Sequence, residues 1–281
     1  MLVLMQRIGR IFPLVVALAL PASGLAGNIH AAAPNDAVDS LTSCPTRSLL
    51  LNFDVYRGEQ AVRQVPIWRL QGNAAFFFTS GLMIDADGAP NAYSPDDTGL
   101  DDLSNAGQPG HWDGIIADDE GNPVVQGPGD PFPGYYISCT ALSDRTKERI
   151  DPTRYVDASK IPYIALPGEL ARDSGARLGD LAVVVNTRNG RFSYAIFADI
   201  GRLGEGSIAL ADNLGIWSDA RHGGRWAGIQ YLVFPGSGDH RPMSLEEINE
   251  RTETLFHDWG GIDHVRSCAD HAPEKPPFWY E

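Results

Sequence analysis

The chain has 281 residues, with 36 acidic and 22 basic side chains and a formal charge of −14. That balance excludes a basic clamp on nucleic acid, whose phosphates it would repel. It argues against docking on anionic lipid and favours a neutral or cationic partner. Hydrophobic residues at 43% and charged ones at 21% are values of a folded domain. Thirty Gly and 20 Pro point to a turn-rich fold rather than a helical bundle.

From the N-terminus, Arg7 and Arg10 precede an apolar run over 11–20 that Pro21 and Ser23 break. Small residues over 22–26 and 31–33 offer cleavage sites. This is the pattern of a secretory signal peptide over 1–33, too short for a membrane helix with these flanks. Its removal takes away two positive charges, and −14 − 2 gives −16 for the mature chain. The expectation is a secreted protein, extracellular or, in a bacterium, periplasmic, with no membrane contact. Residues 34–281 read as one domain. Export gives the cysteines meaning: Cys44, Cys139 and Cys268 allow one disulfide and one free thiol. The sequence does not choose among the three pairings. Cys44 with Cys268, tying the two ends of the domain, is favoured.

Strand-like runs of β-branched and aromatic residues cover 48–55, 74–84, 135–142, 161–166, 181–186, 192–198 and 228–234. The stretch 85–133 is a long acidic loop rich in Gly and Pro, and so long a loop is functional or ordered by its own contacts. Asn189-Gly190 between two strands suits a type I′ hairpin turn. A short helix fits 207–214, stopped by Gly215. Ser244 with Glu247 forms a capping box opening a helix that runs to Trp259. Leu245, Ile248, Leu255 and Trp259 are its expected apolar stripe, and Gly260-Gly261 its end. The tail 274–281 reads as extended. The fold class is mainly β with a few short helices.

The usual catalytic signatures are missing. Ser237 has Pro235 and Asp239 where a nucleophile elbow needs glycines. There is no H-E-x-x-H and no P-loop, and the seven His are scattered. Asp85-Ala86-Asp87-Gly88 resembles half of a calcium loop but lacks the later acidic positions, so it reads as an Asx turn. No metal or cofactor is expected. The informative segment is YAIFADIGRLGEGSIALADNLG over 194–215. A strongly apolar strand runs into Asp199, then a Gly turn, then Glu205. A carboxylate at the end of a buried strand sits on an immobile backbone where its pKa can rise. A second carboxylate six residues on can face the same cleft. Two carboxylates held apart are what acid/base cleavage of a glycosidic bond requires.

Two blocks resemble glycoside hydrolase family 75, the chitosanases first known from fungi. The first is IDADGAPNAYSPDDTGLDDLSNAG over 84–107, continued by VVQG at 124–127. The second comprises YVD at 155–157, IPYIALP at 161–167, LGD at 178–180, the 194–215 segment and VFPGSG at 233–238. The resemblance implies an inverting hydrolase of β-1,4 links between glucosamine units, with Asp199 and Glu205 as its catalytic pair. The stretch between them is shorter here than in the fungal members. The segment also resembles the strand, Asp and helix element of double-psi β-barrels. That likeness implies a six-stranded, double-psi-like barrel core with long acidic loops. It favours Asp199 as general acid and Glu205 as the base that activates water.

On this reading Asp85, Asp87, Asp96, Asp97, Asp101, Asp102 and Asp180 line a groove for a cationic polysaccharide, chitosan, whose protonated amines need carboxylates without a covering Lys or Arg. Tyr93, Tyr194, Trp112 and Trp259 are expected to offer apolar faces to pyranose rings. The protein is expected to act as a monomer. Two other readings stay open: an enzyme cleaving peptidoglycan or another amino-sugar polymer, and a barrel that binds a polysaccharide without cutting it.

Overall fold

The structure, a computed structural model, describes residues 47–57, 60–70 and 74–268. The expected signal peptide, Cys44, the side chain of Cys268 and the 274–281 tail lie outside the described residues, and so does the favoured disulfide. Cys139 is a free thiol.

The architecture is mainly β. Strands β1 (Arg47–Arg57) and β2 (Gln60–Leu70) form a long antiparallel ribbon. Then come β3 (Phe76–Asp85), the short hairpin of β4 (Gly107–Gln108) and β5 (His111–Trp112), β6 (Tyr163–Leu166) and α1 (Gly168–Ser174). Strands β7 (Leu181–Asn186), β8 (Phe192–Ile200) and β9 (Glu205–Ser207) lead into α2 (Ile208–Leu214). The described chain ends with β10 (Arg225–Phe234), α3 (Leu245–Trp259) and α4 (Gly261–Cys268). Six strands close into a barrel in the order β3-β10-β7-β8-β6-β9, with β9 returning to β3. The β3–β9 and β6–β8 contacts are parallel and the others antiparallel. Among the described residues no helix is long and apolar enough to cross a membrane.

Alternation along the strands sorts the side chains. Phe76, Phe78, Leu82 and Ile84 of β3 meet Ile164, Leu166, Val184, Phe197 and Tyr231 in one buried cluster. The Phe78 and Tyr231 rings stack at 4.7 Å. The opposite face of β6 and β8 carries Tyr163, Ile196 and Ala198, which pack beneath the long loop through Ala89, Ala92, Tyr93, Ala106 and Ile115, with Val156 beside them. The loop is thus ordered by its own small apolar residues. A third cluster joins Phe77, Val183, Val185, Leu232 and Phe234 to Phe256, Trp259 and Val265 of the C-terminal helices.

Several expectations need correction. Residues 135–142 form only isolated bridges, Ile115↔Ser138 and Val125↔Tyr136, because their backbone groups bond to other loop residues such as Val124 and Gly114. Gly190 alone is left-handed at the β7–β8 turn, with φ of 76°. A type I′ turn needs that conformation at Asn189 as well. Ser244 caps α3 by accepting from the Glu247 N–H, but the Glu247 carboxylate pairs with Arg241 and Arg251 instead of completing the box. The buried face of α3 is Ile248, Thr252, Phe256 and Trp259, while Leu245 is exposed.

Candidate active site

Strand β8 is built to aim Asp199. It pairs with β6 as Tyr163↔Ile196 and Ile164↔Phe197, then skips to Ala165↔Asp199. The extra residue is Ala198, a bulge, and a bulge re-aims the side chains that follow it. Without it, alternation would turn Asp199 toward the interior side of Phe197. With it, Asp199 stands beside Ala165, on the face of Tyr163. On the other flank of β6, Ala165 pairs with Glu205 of β9. Asp199, Ala165 and Glu205 therefore form a row across three strands. Two strand spacings separate the outer pair, about 10 Å between backbones.

The Gly turn between them is fitted to this arrangement. A Cβ on Gly201 would strike the Glu205 carboxylate, and one on Gly204, where φ is 87°, would strike Ser80. The Arg202 N–H donates to Glu205 Oε2 at 2.7 Å. Asp199 Oδ1 accepts from the Ala141 N–H at 3.0 Å and its neighbour's, Ile200, at 2.7 Å. Both bonds fall on one oxygen, which leaves Oδ2 to carry a proton.

Asp85 ends β3, two residues after Met83, the partner of Glu205 on its other side. The Asp87 N–H donates to Asp85 Oδ1 at 2.8 Å, an Asx turn as expected. One ligand atom from each of Asp85, Asp87 and Asp199 lies within 4.8 Å of the others. This is a spacing at which a cation fits. Three carboxylates so close cannot all stay charged without a proton or a cation between them. Asp87 Oδ1 also accepts from the Tyr93 hydroxyl at 2.7 Å. A Cβ on Gly114 would come within 2.6 Å of the same oxygen, so a side chain there would displace the Asp87 carboxylate. Behind them Asp101, 4% exposed, accepts from the Asn105 side chain at 2.8 Å. Among the described residues no salt bridge reaches Asp85, Asp87, Asp101, Asp199 or Glu205.

Burial pushes all five carboxyls upward. Asp199 rises to about 7, from burial first and then the Glu205 charge, against the two N–H bonds it accepts. Asp85 rises well above the usual range from burial and then the charges of Glu205 and Asp199, and Asp87 from burial and then the charges of Asp85 and Asp199. Glu205 also rises through burial, but the Arg202 N–H and guanidinium pull it back. Among the described residues no cation acts on Asp199 in this way. Both carboxyls are raised, and the Arg202 cation beside Glu205 favours Asp199 as the acid and Glu205 as the base. Burial and the charges of Asp87 and Asp199 also lift the Cys139 thiol to about 12.

Of the residues anticipated from sequence, Asp85, Asp87, Asp199 and Glu205 meet at one place. Tyr93 joins them differently than expected: its ring is buried, and only its hydroxyl serves the site. Asp96 is exposed on the same loop, held below the usual range by the Ser94 and Thr98 hydroxyls. Asp97 and Asp102 are not uncovered, since Arg221 ion-pairs with both at 3.0 and 2.6 Å. Asp180 is not a groove residue: it is 0% exposed and accepts from the Arg177 and Gly238 N–H groups. Tyr194 packs on Phe192 and Phe256, against α3 and away from the acids. Trp259 is buried against Phe256 and His264, and the Trp112 indole donates to the Gly121 carbonyl. Sequence reasoning missed Gly114 and Tyr163, whose hydroxyl donates to the Asp87 carbonyl at 3.1 Å. No local pattern marks either, because each matters through a neighbour far along the chain. The chain matches no protein-family model and no curated protein.

Proposed function

We propose that the protein is an endo-chitosanase that hydrolyses β-1,4 links between glucosamine units with inversion, exported by its N-terminal segment. The observation that carries this reading is the row Asp199–Ala165–Glu205, with carboxylates alone around one end and Arg202 at the other. Inverting glycosidases hold their carboxyl groups about 6.5–9.5 Å apart so that water fits between sugar and base. A backbone separation of about 10 Å suits that need. Asp199 gives its proton to the glycosidic oxygen as the bond from C1 breaks. Glu205 takes a proton from the water whose oxygen attacks C1 from the opposite face. The new chain end emerges with inverted configuration. The acids Asp85, Asp87 and Asp101 have no salt-bridge partner among the described residues, so an ammonium of the sugar chain would favour their charged forms, which suits a polymer bearing one ammonium per unit.

The test is hydrolysis of highly deacetylated chitosan by purified protein, with chitin and peptidoglycan as controls. Deacetylated chitosan is expected to be cut fastest. Polymer binding is expected to weaken as salt rises, because salt screens the attraction between a polycation in solution and an acidic protein of formal charge −14. Binding that ignores salt would count against an acidic groove. Activity is expected to persist in a chelator. Activity lost with the chelator and restored by calcium would assign Asp85, Asp87 and Asp199 to a cation.

A further inference from the structure

Strand β3 lies between Glu205 and the start of β10. Met83 pairs with Glu205 on one side of β3, and on the other side Leu82 pairs with Arg225, the first residue of β10. Gly224, which precedes it, donates its N–H to the Trp217 carbonyl at 2.8 Å. The Trp217 loop therefore meets the barrel about two strand spacings, roughly 10 Å, beyond Glu205.

Trp217 is 65% exposed, the most exposed large hydrophobic side chain among the described residues. Single exposed apolar residues are ordinary on protein surfaces. What sets this one apart is the rigidity of its mount. Asp219 Oδ1 accepts from the N–H groups of Arg221 and His222 at 2.8 and 3.0 Å, and the Gly223 N–H donates to the Asp219 carbonyl at 2.7 Å. A Cβ on Gly223 would strike the Trp217 carbonyl. Arg221 then locks this loop to the acidic one, donating to the carbonyls of Asp97, Gly99 and Asp101 and pairing with Asp97 and Asp102. The loop that carries Trp217 is thus tied to the segment that carries Asp101, whose charge acts on Glu205. The His222 ring stacks on the indole at 6.4 Å, the planes 15° apart.

We propose that Trp217 is a stacking platform for a pyranose ring of the bound polysaccharide, on the Glu205 side of the cleavage point. This rests on reading the acidic row as a polysaccharide cleft. A rigid indole loses little freedom on binding, and its flat apolar face matches the C–H face of a sugar ring. The platform holds the chain without touching the reacting bond, so it belongs to affinity for long substrates and not to the chemical step.

The experiment measures binding of a long glucosamine oligomer and of the disaccharide to the full chain carrying Asp199→Asn, with and without Trp217→Ala. The expected result is affinity for the long oligomer weakened about tenfold, mostly restored in Trp217→Tyr, with the disaccharide little affected. In the active protein Trp217→Ala is expected to raise KM on polymer about tenfold and leave kcat nearly unchanged. If the wild type cuts chitosan but oligomer affinity ignores Trp217, the platform is wrong and the chitosanase reading stands. If the wild type leaves chitosan intact yet binds chitin or cellulose oligomers through Trp217, the platform stands and the substrate reading falls. Binding to no glycan overturns both.

Discussion

Asp199→Asn is expected to lower kcat/KM on deacetylated chitosan by roughly 10²–10⁴-fold, the usual worth of a positioned proton donor. Asn keeps the shape of the side chain and can still accept the Ala141 and Ile200 N–H bonds on its carbonyl oxygen. It has no proton to give to a leaving oxygen. Glu205→Gln is expected to cost a similar factor, since the amide cannot take a proton from water. Both act on one step, so the double variant should fall far short of the product of the two losses. The fold should survive each change, because neither removes volume or adds charge. Initial rates with the far-ultraviolet spectrum of each variant check this. Near wild-type activity in either variant would remove its residue from the reaction.

Asp87→Asn is expected to stabilise the protein at pH 8 while reducing activity. Burial and the charges of Asp85 and Asp199 raise the Asp87 carboxyl well above the usual range, and Asp199 itself rises from 3.8 to about 7. A carboxyl with a raised folded-state pKa binds its proton more tightly in the folded chain. The fold is therefore favoured fully below about pH 3.8, and the advantage is lost as pH rises through about 7. A shift of that size corresponds to about 4 kcal/mol at alkaline pH, shared among the interacting acids. Removing the Asp87 charge should recover part of it, read as a rise of a few degrees in unfolding temperature, at about 2–4 °C per kcal/mol for a domain of this size. The Asn can still accept from the Tyr93 hydroxyl. Thermal unfolding of wild type and variant at pH 4 and pH 8 measures the difference. The gain should appear at pH 8 and vanish at pH 4. A loss at pH 8 would mean that the Asp87 charge is matched by a bound cation. A site that is costly to fold and needed for reaction is a familiar trade between stability and activity.

The barrel was legible where hydrophobic pattern and strand ends coincide. Leu181–Asn186 is buried throughout and bounded by Asp180 and Thr187, and it forms the strand expected over 181–186. The β2 strand was not legible, because Arg63, Gln64 and Pro66 interrupt its apolar pattern in a ribbon that β3 joins at only two registered pairs. Strand β9 is three residues long and exists only because β3 and β6 hold it. The pair Asp199 and Glu205 was legible because a buried strand and a Gly turn announce immobile carboxylates. The bulge at Ala198 that aims Asp199 leaves no trace in periodicity, as it is defined by the partner strand. Asp180 misled because it also adjoins an apolar strand, yet the Arg177 and Gly238 N–H groups engage its carboxylate. The aromatics misled for a related reason: ring composition does not say which face of a strand or helix a ring occupies. Trp259 went to the core, and Trp217, in an unpatterned loop after Gly215, stayed on the surface.

The central claim is that Asp199 and Glu205 cut a glucosamine polymer with water attacking from the face opposite the leaving oxygen. Its most direct measurement is proton magnetic resonance of the products formed from deacetylated chitosan by the purified protein, followed from the first minutes. The expected spectrum shows internal cleavage into short oligomers whose new reducing ends are first α, before they equilibrate, and no such signal with Asp199→Asn. New ends that are first β would contradict inversion by this pair, and an intact polymer would contradict the chitosanase reading itself.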